Sequence, residues 1–118
     1  MEIVEKRIRE RNNIISKSGE YAKTLNFRCT VILIGSYARG DFNLWSDVDL
    51  LIIGNFDSNP LKRLKSIDFP AGYETILLTL DEVKKMAGKN NKFIKDAFSE
   101  GIILRNDFGI DSISINSR

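Results

Sequence analysis

Apolar and polar residues alternate along the chain with two periods. Over residues 2–26, Ile3, Val4, Ile8, Ile15, Ala22 and Leu25 fall near one stripe of 3.6-residue period with charges between them. That spacing predicts an amphipathic helix, which Gly19 is expected to break or kink. Residues 30–34 (TVILI) are a β-branched apolar run ending at Gly35, the pattern of a buried strand. Ser36 is placed to cap a short helix running through Ala38. Residues 40–46 read as a loop, 47–53 as a second strand, 55–60 as a turn-rich link and 61–67 as a short helix. Residues 73–80 form a third strand. Thr79-Leu80-Asp81-Glu82 then carries the cap-to-acid spacing that opens a helix. A further helix over 92–100 stops at Gly101, before a short apolar piece at 102–104. The alternation of helices and strands predicts an α/β sandwich, helices packed on a small sheet.

The 118 residues are expected to form one domain, with no repeat, linker or low-complexity segment. Residues 106–118 lack a convincing period and are expected to fray as a flexible tail. Composition is that of an ordinary globular protein: 42% hydrophobic and 29% charged. A net charge of +2 does not by itself argue for nucleic acid and leaves room only for a local basic patch. No apolar run approaches the ~20 residues of a membrane-spanning helix, and the charged N-terminus lacks the apolar region of a signal peptide. The lone Cys29 has no disulfide partner within the chain. A reducing cytoplasm is the expected location. Cys29 itself reads as a small residue at a strand end. The chain has no histidine, which removes Ser-His-Asp triads, Cys-His pairs and histidine metal sites.

The chemistry concentrates in residues 35–52, GSYARGDFNLWSDVDLLI. Asp47 and Asp49 lead into the apolar strand. A desolvated carboxylate costs several kcal/mol unless a cation or hydrogen bonds compensate. Two residues apart in a strand, they share one face, about 6.5–7 Å apart. Paired carboxylates suit a hard divalent cation such as Mg2+, which completes its shell with water and phosphate oxygens, with Mn2+ as the alternative. Two such ions ~3.5–4 Å apart can serve the attacking and leaving oxygens of a displacement, and that arrangement wants a third carboxylate. Glu74, at the start of the third strand, is the best placed. Asp68 and Asp81, in a loop and at a helix start, are fallbacks.

Gly35 lets backbone N–H groups approach a phosphate, Ser36 can add a hydroxyl donor, and Arg39 lies within reach of a triphosphate. Each feature has a plain alternative: a Gly-Ser turn is usually a turn, Asp-x-Asp usually a solvated edge, and Glu74 and Arg39 ordinary surface charges. Their joint arrangement favours a nucleoside triphosphate held by its phosphates beside a metal.

Gly35-Ser36 followed after ten residues by Asp47-Val48-Asp49 resembles the signature of the DNA polymerase β nucleotidyltransferase superfamily, especially its minimal nucleotidyltransferase branch. The likeness extends through Tyr73-Glu74-Thr75 and through FIKDAFSEGIIL at 93–104, covering roughly residues 30–105. The resemblance implies that family's fold, a small mixed sheet with flanking helices. It assigns phosphate binding to Gly35 and Ser36, and metal binding and catalysis to Asp47 and Asp49. The third acid, commonly Asp in relatives, falls on Glu74, which reaches one methylene further. The implied reaction transfers a nucleoside monophosphate, AMP from ATP, to a hydroxyl.

A Walker A loop does not match, since GSYARGD lacks the Gly-Lys-Ser/Thr ending. Metal-dependent glycosyltransferases share Asp-x-Asp but are usually longer and do not use the upstream Gly-Ser. A non-catalytic nucleotide sensor is a further alternative. The acceptor is open: a chain of this length is expected to lack an acceptor-holding domain. Relatives often pair with a HEPN-type toxin that they adenylylate, so the resemblance implies an antitoxin. Otherwise a partner subunit presents a small molecule or RNA end. Oligomerisation also stays open. Lys84, Lys85, Lys89, Lys92 and Lys95 are either a solvated face or a docking surface, the former favoured. Trp45 either seals the core or stacks at the rim of the site, and core packing is the expectation.

Overall fold

The computed structural model describes residues 2–63, 65 and 67–111. The elements follow the order α1 (Glu2–Thr24), β1 (Cys29–Ile34), α2 (Gly35–Arg39), β2 (Val48–Gly54), α3 (Pro60–Arg63), β3 (Tyr73–Leu78), α4 (Leu80–Gly88), α5 (Lys92–Glu100) and β4 (Ile102–Asn106). The four strands form one mixed sheet in the order β3-β2-β1-β4. β1 is antiparallel to β2 and β4, and β2 is parallel to β3.

β1 is buried along its whole length because both faces of the sheet are covered. Val31, Leu33, Leu50 and Ile52 point to the side packed by Ala22 of α1 and Ala38 of α2. Ile32, Ile34, Leu51 and Ile53 point to the opposite side, against Val83 and Ala87 of α4 and Ile94 and Ala97 of α5. Continuous apolar strands fit these two central positions, as the sequence pattern predicts. Cys29 starts β1 and is buried, its thiol pushed up by desolvation.

α1 runs unbroken through Gly19. A Cβ at Gly19 would meet nothing within 4 Å. The helix therefore bears only the intrinsic glycine cost of about 1 kcal/mol, while its neighbours hold it in place. Buried Ser18 shares a 3.0 Å hydrogen bond with the Tyr73 hydroxyl on β3, and Ala22 is fully buried. The apolar stripe at the other end is not covered. Ile3, Val4 and Ile8 are exposed, because a helix of about 35 Å overhangs strands of about 20 Å.

Other boundaries differ for local reasons. α2 starts at Gly35 with Ile34 as its N-cap, and no side chain caps it, so Ser36 lies within the helix. Asp47 precedes β2 and is exposed. The helix expected over 61–67 is the single turn Pro60–Arg63, and Leu64 and Ser66 lie outside the described residues. The third strand ends at Leu78 because Thr79 caps α4, with Glu82 completing a reciprocal capping box. Trp45 is 86% exposed, which overturns the expectation of core packing: it sits in the loop between α2 and β2 beside exposed Leu44, and belongs to neither apolar cluster of the core. Of the expected tail, Asn106 belongs to β4, and Phe108 and Ile110 pack on the core while Asp107, Gly109 and Asp111 are exposed. The Asp107 amide donates to the Cys29 carbonyl at 3.0 Å, and Ile110 is buried. The rest of that segment, 112–118, lies outside the described residues. Among the described residues, no helix is long and apolar enough to cross a membrane.

Arg63 ties the turn after β2 to β3 and α4. Its buried guanidinium donates to the carbonyls of Asp57 and Leu77 and grips Glu82 with two bonds, 2.7 and 3.0 Å long. The Arg63 hydrogen bonds, followed by the Thr79 amide, hold the Glu82 carboxyl below its ordinary range. The ionised Glu82 thus contributes stability that is present above the ordinary glutamate pKa and lost as pH falls through the lowered folded value. Arg63→Ala should cost about 2–3 kcal/mol by denaturant unfolding, since the buried Leu77 carbonyl and the Glu82 carboxylate lose their donor. Glu82→Gln keeps the capping geometry but should flatten the acid limb of a stability-against-pH curve; an unchanged limb would place that dependence on other carboxylates.

Candidate active site

Strand register builds the site. Ile34, the last residue of β1, pairs with Asp49 of β2, and Asp49 pairs with Glu74 of β3. Directly paired residues share a face, so Asp49 and Glu74 stand side by side about 5 Å apart on the side covered by α5. Ile34, Gly35, Asp49, Glu74 and Ile76 form one wall of a cleft of about 250 Å³. Phe93, Asp96, Ala97, Glu100 and Gly101 line the other, with Arg39 beside them.

Gly35 is required where it stands. Its φ of +75° lies in the left-handed region, and a Cβ would run into the Asp49 carboxylate. The turn into α2 therefore passes directly over Asp49. The Asp49 carboxyl is raised above its ordinary pKa, first by desolvation, then by the charges of Glu74 and Asp47, with Arg39 opposing. Three acids thus share one electrostatic neighbourhood. Arg39 lies beside the cleft, its Nε 3.2 Å from Asp41 in the loop after α2 and its Nη1 3.7 Å from Glu100 of α5.

The sequence-predicted residues divide into two groups. Gly35, Asp49, Glu74 and Arg39 line the cleft together. Asp47 lies just before β2, exposed, and acts on Asp49 through its charge, while Ser36 is half-buried next to Gly35; neither is among the residues lining the cleft. Asp81 is exposed and pairs with Lys85 at 3.1 Å, away from the cleft, and Asp68 is also not part of it. The five lysines are exposed, with Lys85 and Lys92 engaged by Asp81 and Asp96. Ile76, Phe93, Asp96 and Glu100 were not singled out from sequence. The signal was present: Phe93, Asp96, Ala97 and Glu100 recur at three- and four-residue intervals, one face of a helix.

Among the described residues, no group of three or more His, Cys, Asp or Glu side chains closes into a metal cage. An open wall of carboxylates is nevertheless what Mg2+ uses when phosphates and water complete its shell. Asp49 and Glu74, side by side on the sheet, with Asp47 near enough to act on Asp49 through its charge, are the oxygen donors from which such an ion would draw.

The chain belongs to the nucleotidyltransferase domain family, whose model matches residues 15–105. It is 33% identical over 76 residues to a Methanocaldococcus jannaschii protein named "Putative protein adenylyltransferase", covering 63% of this chain and 75% of that protein. Its fold is similar to the crystal structure of a "putative nucleotidyltransferase" from Sulfolobus solfataricus. That match has a TM-score of 0.53 and 23% identity, over 85% of this chain and 83% of the other.

The contact between Gly35 and Asp49 is testable by a double-mutant cycle. Gly35→Ala should destabilise by about 1–3 kcal/mol through the left-handed φ, with the carboxylate clash added. In an Asp49→Ala background the penalty should shrink, because the clash partner is gone. Equal penalties in both backgrounds, measured by denaturant titration, would show that the carboxylate does not limit residue 35.

Proposed function

We propose that the protein transfers AMP from ATP to a hydroxyl on a partner protein. The observation that carries this reading is the row Gly35–Asp49–Glu74, a phosphate-approachable backbone turn packed on paired carboxylates within one cleft. The name of the Methanocaldococcus jannaschii relative supports protein as the acceptor class. A HEPN-type toxin neutralised by adenylylation is the partner that the reading favours.

In this reading the backbone at Gly35, with the Ser36 hydroxyl, receives phosphate oxygens, since no side chain intervenes at 35. Arg39 exchanges its carboxylate partners for the triphosphate. Asp47, Asp49 and Glu74 would hold Mg2+ or Mn2+, in a one- or two-ion arrangement. When bound, the cation neutralises phosphate charge and lowers the barrier to displacement. The acceptor hydroxyl attacks the α-phosphorus in line, a new P–O bond forms, and the bond to pyrophosphate breaks. Glu74, exposed at the mouth, takes the hydroxyl proton, and pyrophosphate leaves with the electron pair.

Incubated with ATP, magnesium and the cognate partner, the protein should add one or more adenylate units to that partner, read by intact-mass spectrometry. Asp47→Asn and Asp49→Asn should each abolish transfer while the fold persists, and Asp49→Asn should melt no lower than wild type because a desolvated and crowded charge is removed. Labelling of an RNA end or small alcohol, with the partner mass unchanged, would overturn the protein acceptor and leave the transferase. Ser36→Ala should weaken binding of a non-hydrolysable ATP analogue about 10- to 100-fold, the loss of a hydrogen bond to a charged group. Unchanged affinity by calorimetry would place the phosphates elsewhere.

A further inference from the structure

Five large apolar side chains lie outside the core, three on the overhanging start of α1 and two on the loop between α2 and β2. Ile3 is 75% exposed, Val4 58% and Ile8 55%; Leu44 and Trp45 are 90% and 86% exposed. Arg7 ties the start of α1 to the stretch that leads into that loop. Its guanidinium donates to the carbonyls of Gly40 and Phe42 and lies 4.7 Å from the centroid of the Phe42 ring. One turn further along α1, Arg11 donates to the carbonyls of Tyr37 and Ala38 at 2.8 and 2.6 Å. The overhanging helix is thereby fixed beside the loop whose tip carries Leu44 and Trp45. That loop is itself built: the Asn43 carboxamide accepts from the Trp45 amide at 2.8 Å, and the Ser46 hydroxyl accepts from the Asn43 amide at 2.9 Å.

We propose that this surface is the two-fold interface of a homodimer, with the Leu44–Trp45 tip of each copy packed against the Ile3, Val4 and Ile8 ridge of the other. Two arguments select a second copy. The exposed portions of these five residues sum to on the order of 700 Å², close to the ~800 Å² per partner of a stable interface. The charges beside the helix ridge are balanced, Glu5 and Glu10 against Lys6 and Arg9, and Arg7 is turned inward. A one-signed rim would select an oppositely charged partner. A balanced one lets two identical surfaces meet without net repulsion. The ridge and tip are also different in kind, so a two-fold exchange buries both halves twice. The interface would lie immediately before Ser46 and Asp47, and pairing would hold the segment that leads into β2.

Light scattering coupled to size exclusion, on the full chain at micromolar concentration, tests this. The expected mass is twice the 13.4 kDa of one chain. Trp45→Glu and Ile8→Glu, both at exposed positions, should each reduce it to the single-chain mass while far-UV circular dichroism stays native. Leu44→Lys serves if either of those variants fails to fold. A wild-type protein that runs at the single-chain mass across the concentration range would overturn the proposal. So would folded variants that remain dimeric, because the interface would then lie elsewhere.

Discussion

The approach of the Gly35 backbone to the Asp49 carboxylate is the constraint on which the site depends. β1 and β2 are antiparallel, and their register ends with Ile34 opposite Asp49. The chain must turn over that carboxylate to enter α2, and a left-handed φ without a side chain is what lets it do so. Gly101 plays the matching part on the other wall. A Cβ there would fall against Ala97, Ile32 and Leu33, so a side chain would push the end of α5 off β1. Two glycines therefore set how closely α2 and α5 approach the sheet, and with that the width of the cleft.

Charge follows from this geometry. Asp49 and Glu74 stand on the sheet, Asp96 and Glu100 on α5, and Arg39 between them is the cation lining the cleft. Arg39 already faces Asp41 and Glu100. A polyphosphate entering this space meets carboxylates on both walls, so in the proposed function nucleotide and divalent cation bind interdependently. The polyphosphate is the partner that would not be stable there alone, because the cation offsets the charge of both the phosphates and the carboxylates.

Much of this was legible in the sequence, and the parts that were not share a cause. The strands β1 and β2, the capping box at Thr79, and α5 with its stop at Gly101 follow from local pattern, since each element carries its own boundary residues. The family and fold were legible because Gly35, Asp49 and Glu74 belong to the backbone logic of the sheet. The fates of Ile3, Val4, Ile8 and Trp45 were not. Periodicity reports which face of an element is apolar, but not whether the sheet extends far enough to cover it. Asp96 and Glu100 escaped for a related reason. They read as the polar side of a lysine-rich helix, and only the packing of α5 over β1 and β2 turns them into a cleft wall.

Register joins the stability of the fold to the chemistry of the site. On β2 the odd-numbered positions Asp49, Leu51 and Ile53 face α4 and α5, and the even-numbered Val48, Leu50 and Ile52 face α1 and α2. Burying Leu51 and Ile53 under α4 and α5 therefore brings Asp49 to the mouth of the cleft on the same face. A slip of one residue would turn Asp49 toward the α1 side, where Val31 and Leu33 of β1 make an apolar floor, and would send Val48, Leu50 and Ile52 to the α4–α5 side in exchange. Such a state mispacks both faces and takes the carboxylate out of water. The apolar alternation that stabilises β2 is thus also what aims its carboxylate. The parallel pairing with β3 extends the same selection to Glu74, because Glu74 can stand beside Asp49 only while Ile76 and Leu78 pack against the core beneath α4 and α5.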